Sequence, residues 1–225
     1  MGRRGFGMSD GEVVALHVGL PADHGADAIS DQPWRSGIAK AAVSSPIYLG
    51  QDNFEGDGQA DLENHGGRFR AVLAYCAGHY DMWRAELDRP ALAYGAFGEN
   101  LTVTDFDEDS VCLGDVFTVG GTRLQVAQPR RPCWKLARYQ GIKDLAARVD
   151  AKGWGGWYHR VLRDGFIAVG DRYTLVERPH PDLTIRIVNE TLDGRNPDPA
   201  LRASLAANEA LSPQWREYLS RPPRA

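Results

Sequence analysis

One cysteine stands between two prolines and a run of positive charge: Gln128-Pro129-Arg130-Arg131-Pro132-Cys133-Trp134-Lys135. Proline fixes φ and removes a backbone donor, so the approach to Cys133 is expected to be a stiff, extended rim. Arg130, Arg131, Lys135 and Arg138 place four cations within nine residues, around a thiol at the expected start of a helix. Both influences favour the thiolate, which is a nucleophile or a soft-metal ligand. The competing reading is a packed, inert thiol, but that much charge does not suit a core.

Two other stretches carry donors. Trp34-Arg35-Ser36-Gly37-Ile38-Ala39-Lys40 combines cations, a hydroxyl and a glycine, a set able to grip a phosphate. A long loop follows, with Gly56-Asp57-Gly58-Gln59-Ala60-Asp61 and Asn64-His65-Gly66-Gly67. Its Gly56-x-Gly58 opening resembles a dinucleotide fingerprint, yet Asp61 stands where the third glycine belongs and no helix is expected there, so a Rossmann site is rejected. Asp57, Asp61 and His65 are possible metal ligands, although such residues commonly form turns. The alternative is a loop whose amides and His65 line a pocket, since long loops in compact domains are often functional.

Composition bounds the remaining choices. The chain has 225 residues, 43% hydrophobic and 25% charged, ordinary values for a globular protein with a full core. A net charge of −4 argues against a general nucleic-acid binder and makes the basic cluster a local feature suited to a small anion. Cys76, Cys112 and Cys133 form no CxxC pair, so zinc-ribbon and disulfide scaffolds are not expected and a cytoplasmic, reducing setting is. No apolar run approaches the ~20 residues needed to span a bilayer, so no membrane partner is expected.

The elements that must position these residues are mostly short strands. Strands are expected at Val13–Val18, Ile47–Leu49, Ala71–Tyr75, Leu101–Val103, Phe166–Val169 and Arg172–Val176. Val116–Val119 and Thr122–Ala127, joined by Gly120-Gly121, read as a hairpin whose second strand leads straight to the cysteine segment. Helices are expected at Ala77–Leu87, Lys143–Val149 and Trp157–Leu162, then at Thr184–Leu192, Pro199–Ala207 and Pro213–Leu219. Asp198-Pro199 and Ser212-Pro213 each place a capping residue before a first-turn proline. The expected organisation is a disordered lead-in at 1–10, a β-barrel domain with inserted helices at 11–178, and a three-helix module at 179–225. The class is mainly β with helices, α+β.

Taken together, GQDNFEGDGQADLENHGG, FGEN, GDVFTVGGTRLQVAQPRRPCWKL and GDRYTLVER closely resemble the MOSC-domain proteins. With the C-terminal helices, the chain is similar to the bacterial YiiM group over residues 12–220, and more distantly to the mitochondrial amidoxime-reducing component. Ala39 and Ala42 depart from the aromatic and proline that the family tends to have there. The resemblance implies a MOSC β-barrel holding a molybdenum–pterin cofactor through Cys133, with pyridoxal phosphate as a family-level alternative. It implies reduction of N-hydroxylated compounds, hydroxylaminopurines and amidoximes among them. The pocket residues it implies are Ser36, Ile38, Lys40, Asp57, Asp61, His65, Glu99 and Asn100. Arg35, Lys40, Arg130, Arg131 and Lys135 are the cations expected to meet the cofactor's phosphate, and Asp61 or His65 a proton relay. No dinucleotide fingerprint, P-loop or iron–sulfur cysteine set is present, so a separate flavoprotein or other reductase is expected as electron donor. The alternative function is a sulfur carrier or cofactor-handling module using a persulfide on Cys133.

Overall fold

The computed structural model describes residues 10–222. Its strands are β1 (Asp10–Val18), β2 (Ala22–His24), β3 (Trp34–Ser36), β4 (Ala41–Ala42), β5 (Ile47–Leu49), β6 (Val72–Cys76), β7 (Leu101–Val103), β8 (Val116–Val119), β9 (Thr122–Pro129), β10 (Trp157–Arg163), β11 (Gly165–Ile167) and β12 (Arg172–Glu177). Its helices are α1 (Leu62–His65), α2 (His79–Glu86), α3 (Trp134–Gln140), α4 (Leu145–Lys152), α5 (Ile185–Leu192), α6 (Pro199–Ala207) and α7 (Pro213–Ser220), with a 3₁₀ turn at Arg68–Arg70. Residues 1–9 of the expected lead-in lie outside the described residues, and Asp10 already pairs with Thr174.

Seven strands close a barrel in the order β12-β8-β9-β10-β6-β7-β1, with β1 returning to β12. Closure removes the unpaired edges that an open sheet presents. The pairings are antiparallel except β6 with β7, which the helix-containing connection through α2 allows to run parallel. The interior takes alternate residues of each strand, among them Val13, Val103, Phe117, Leu124, Val126 and Tyr173, all fully buried or nearly so. His159 is fully buried among them; burial drives its pKa down to about 3, so it stays neutral with Nε2 2.6 Å from the Tyr173 hydroxyl.

The stretch Trp157–Leu162, expected as a helix, is the barrel strand β10. Trp157, His159 and Val161 are buried while Tyr158 and Arg160 are half-buried, a period of two. Aromatic and β-branched residues in this run favour the pleated surface. A one-turn helix also opens at Leu62 in the loop expected to lack one. Elsewhere the expected strands and helices appear with ends shifted by a few residues.

The last three helices share a core of Val188, Leu192, Leu205, Leu211 and Leu219, joined by Leu113 from the barrel. Thr184 caps α5 by accepting from the Ile187 N–H at 3.3 Å, and Asp198 caps α6 by accepting from Ala200 at 2.9 Å. Ser212 differs from expectation: it precedes α7, but its buried hydroxyl makes no capping bond. Among the described residues no helix is long and apolar enough to cross a membrane.

Asp115 is fully buried below the β8–β9 hairpin, where its carboxylate accepts from Arg178 and, at 2.9 Å, from the Cys112 N–H. Asp115→Ala leaves that amide without its acceptor and Arg178 with only the Ser110 carbonyl, and is expected to lower stability by about 3 kcal/mol, the scale for breaking a buried pair. Urea unfolding of the variant beside the parent checks this.

Candidate functional site

Segments far apart in sequence enclose an open cleft. Strand β9 ends at Pro129 and hands the chain to Arg130, whose Nη2 donates to the Phe97 carbonyl at 3.0 Å. Arg130 is 7% exposed, and its Nη1 has no partner among the described residues. Pro132 then leads into α3, with Cys133 as its N-cap in extended backbone. Arg131 and Lys135 complete this wall, Arg131 standing 3.7 Å from Asp150.

Across from the thiol stands His65, the last residue of α1. Burial alone pushes the Cys133 thiol up. The hydrogen bond from the His65 side chain, the Lys135 backbone N–H and the Arg130 charge outweigh it and bring the pKa down to about 7. Burial pushes the other two thiols, Cys76 and Cys112, up to about 11.

The opposite wall depends on a buried carboxylate. Asp57 accepts from Lys40 Nζ, from Asn100 Nδ2 at 2.9 Å and from the Gly19 N–H at 2.9 Å. This ties the end of β1, the segment after β3 and the FGEN segment together. Lys40 and Asn100 line the cleft, whereas Asp57 lies behind them. Glu99 is fully buried and accepts from the Tyr80 hydroxyl, the Gly95 and Phe97 amides and Thr102 Oγ1. It shapes the loop that carries Phe97 and does not line the cleft. Ser36 accepts from the Ile38 N–H at 3.2 Å, and Ser36, Ile38 and Asp61 all face the cleft. A Cβ on Gly37 would stand 2.2 Å from the Gly58 carbonyl oxygen, so only glycine lets these two loops meet.

Arg35 stands apart. Alternation along β3 buries Trp34 and Ser36 and turns Arg35 outward, where it pairs with Asp23 at 2.9 Å on β2. Joint metal ligation by Asp57, Asp61 and His65 also fails: among the described residues no group of three His, Cys, Asp or Glu side chains can hold a metal ion. Arg70 and Leu73 also line the cleft and escaped the sequence reading, whereas Tyr158 ends the aromatic, glycine-rich stretch 153–158 that read equally as pocket wall or core filler. Arg70 lies five residues past His65 in the same loop, a signal that was available.

The MOSC domain family matches residues 61–174. The chain is 40% identical over 206 residues to the Bacillus subtilis (strain 168) protein named "Uncharacterized protein YflK", spanning 91% of this chain and 90% of that one. It is 38% identical over 165 residues to a Gibberella moniliformis protein named "Reductase", a stretch that is 72% of this chain but 29% of that longer protein. Among solved structures, YiiM from Geobacillus stearothermophilus has a TM-score of 0.77 at 32% identity, covering 93% of this chain and 97% of that one.

A thiol with a pKa of about 7 is half thiolate near neutrality. Alkylation by iodoacetamide is therefore expected at Cys133 with a rate midpoint near pH 7, rising as pH rises, while Cys76 and Cys112 stay unmodified. His65→Ala removes a donor to the sulfur and is expected to move that midpoint upward. Peptide mass spectrometry across a pH series reads both.

Proposed function

The chain belongs to the MOSC-domain family and within it to the YiiM group, and on that premise we propose that it is an oxidoreductase. In this reading the Cys133 cleft holds a molybdenum–pterin cofactor and reduces N-hydroxylated compounds such as hydroxylaminopurines and amidoximes. The relative named Reductase supports the oxidoreductase part. The observation that carries the rest is the pairing of a low-pKa thiol with a buried arginine nitrogen that lacks a partner. A buried cationic N–H left unmade is costly, and an anion in the cleft would satisfy it.

The residues present suit such a group. Cys133 would ligate the metal, since soft metals favour thiolate. Arg130, with Arg70, Arg131 and Lys135, would hold the anionic portion. When bound, the cofactor supplies the redox chemistry that removes the N–OH oxygen. The hydrogen bond from His65 to the Cys133 sulfur favours the thiolate, and Asp61 faces the same space. Ile38, Leu73 and Phe97 line the cleft with apolar surface and exclude water from part of it. Electrons come from a separate reductase, because the chain has no dinucleotide fingerprint, P-loop or iron–sulfur cysteine set of its own. Three free thiols suit a reducing, cytoplasmic setting.

Protein purified from a host that makes the cofactor is expected to carry molybdenum and to reduce benzamidoxime when given a flavoprotein reductase. Cys133→Ala is expected to lose metal and rate together, and Arg130→Ala to retain roughly 10-fold less metal, the scale seen for groups supporting a ligand. Full metal and full rate in Cys133→Ala would overturn the proposal. A stable added sulfur on Cys133 without bound molybdenum would favour the persulfide carrier instead.

A further inference from the structure

Arg70 closes the 3₁₀ turn that separates the His65 loop from β6, and this turn is held from two sides. On the barrel side, the Ala71 N–H donates to the His159 carbonyl at 3.1 Å, and the Arg160 guanidinium lies 5.1 Å from the centre of the Phe69 ring. On the other side stands the C-terminal helical module. Arg70 Nη2 donates to Gln214 Oε1 on the first turn of α7, 144 residues further on, while Nη1 donates to the Gly66 carbonyl at 3.3 Å.

Both of these acceptors are neutral, and the carboxylate that acts on the guanidinium, Asp61, faces the same cleft. A carboxylate at position 214 would hold the guanidinium as firmly but would also neutralise it. An amide oxygen orients the cation and leaves its charge for the cleft that Arg70 lines. We infer that Gln214 is a positioning residue: through it the C-terminal helices aim Arg70 at the anionic part of whatever the cleft binds. This rests on the proposed reading of the cleft as an anion site. The appended helices are then part of the binding machinery, reaching it by one side chain on an exposed helix turn.

Four full-length proteins test this: the parent, Gln214→Ala, Gln214→Glu and Arg70→Ala, with the Gln214→Ala/Arg70→Ala double variant. Gln214 is exposed, so its truncation removes no core packing. Two readouts are taken on cofactor-free protein: hydrogen–deuterium exchange over residues 66–71, and the Kd for inorganic phosphate by calorimetry. Exchange is expected to rise in Gln214→Ala and to stay at the parent level in Gln214→Glu, which keeps the acceptor. Phosphate binding is expected to weaken roughly 10-fold in Arg70→Ala, the scale of a charged hydrogen bond. Both Gln214 variants are expected to weaken it by about 3-fold, one through lost orientation and one through neutralised charge, with the double variant no weaker than Arg70→Ala alone.

Unchanged exchange in Gln214→Ala overturns the positioning role, as does a double variant weakened by the product of the two singles. If the parent binds phosphate and Gln214→Ala binds it equally, the Gln214 role falls while the cleft reading stands. If the parent binds none, the cleft is not an anion site, and both the proposed function and the aim assigned to Arg70 fall.

Discussion

The buried carboxylate of Asp57 is the constraint on which the cleft depends. It is surrounded by donors from three places in the chain: the Gly19 amide past β1, the Lys40 ammonium and the Asn100 side-chain amide. A desolvated carboxylate is tolerable only when its oxygens are satisfied, so these three segments cannot drift apart independently. Asn100 extends the tie inward by accepting from the Leu73 N–H at 3.1 Å and donating to the His17 carbonyl at 3.2 Å. The wall facing Cys133 is thereby fixed to the barrel itself, and the thiol has a rigid counterpart across the opening.

A division of labour among the cations follows. Away from the cleft, arginines are matched with carboxylates: Arg178 with Asp115, Arg138 with Asp27, Arg186 with Asp109. At the cleft, Arg130 and Arg70 are held by carbonyl and amide oxygens, from Phe97, Gly66 and Gln214. Neutral acceptors fix geometry without cancelling charge, so the positive potential stays directed into the opening. Other cleft cations do meet carboxylates: Lys40 pairs with Asp57, Arg131 stands 3.7 Å from Asp150, and Asp61 acts on Arg70. A chain of net charge −4 thus concentrates positive field at one place.

What could be read from the sequence divides along the same line. Cys133 and its basic neighbours were legible because their chemistry is local: proline, thiol and cations within a few residues. The β8–β9 hairpin was legible for the same reason, through Gly120-Gly121. Arg35 was misleading because its direction depends on β2–β3 pairing, which turns it to Asp23. Asp57 and Glu99 were picked out as pocket residues, but which face of the wall each occupies depends on partners 43 and 19 residues away. Trp157–Arg163 mixes aromatic, basic and branched residues, and its strand identity comes from pairing with both β9 and β6. Arg70 and Gln214 show the limit most plainly, since nothing local joins residues 144 positions apart.

The barrel seam joins the chain's first described strand to its twelfth, Asp10 facing Thr174. During synthesis on the ribosome, the edge of β1 that faces β12 therefore waits unpaired until residues 172–174 have emerged. The pocket, built from residues 36 to 158, is complete only near that moment. A ligand cannot template the early strands of this fold, because the cleft has all its walls only once β10 has been made.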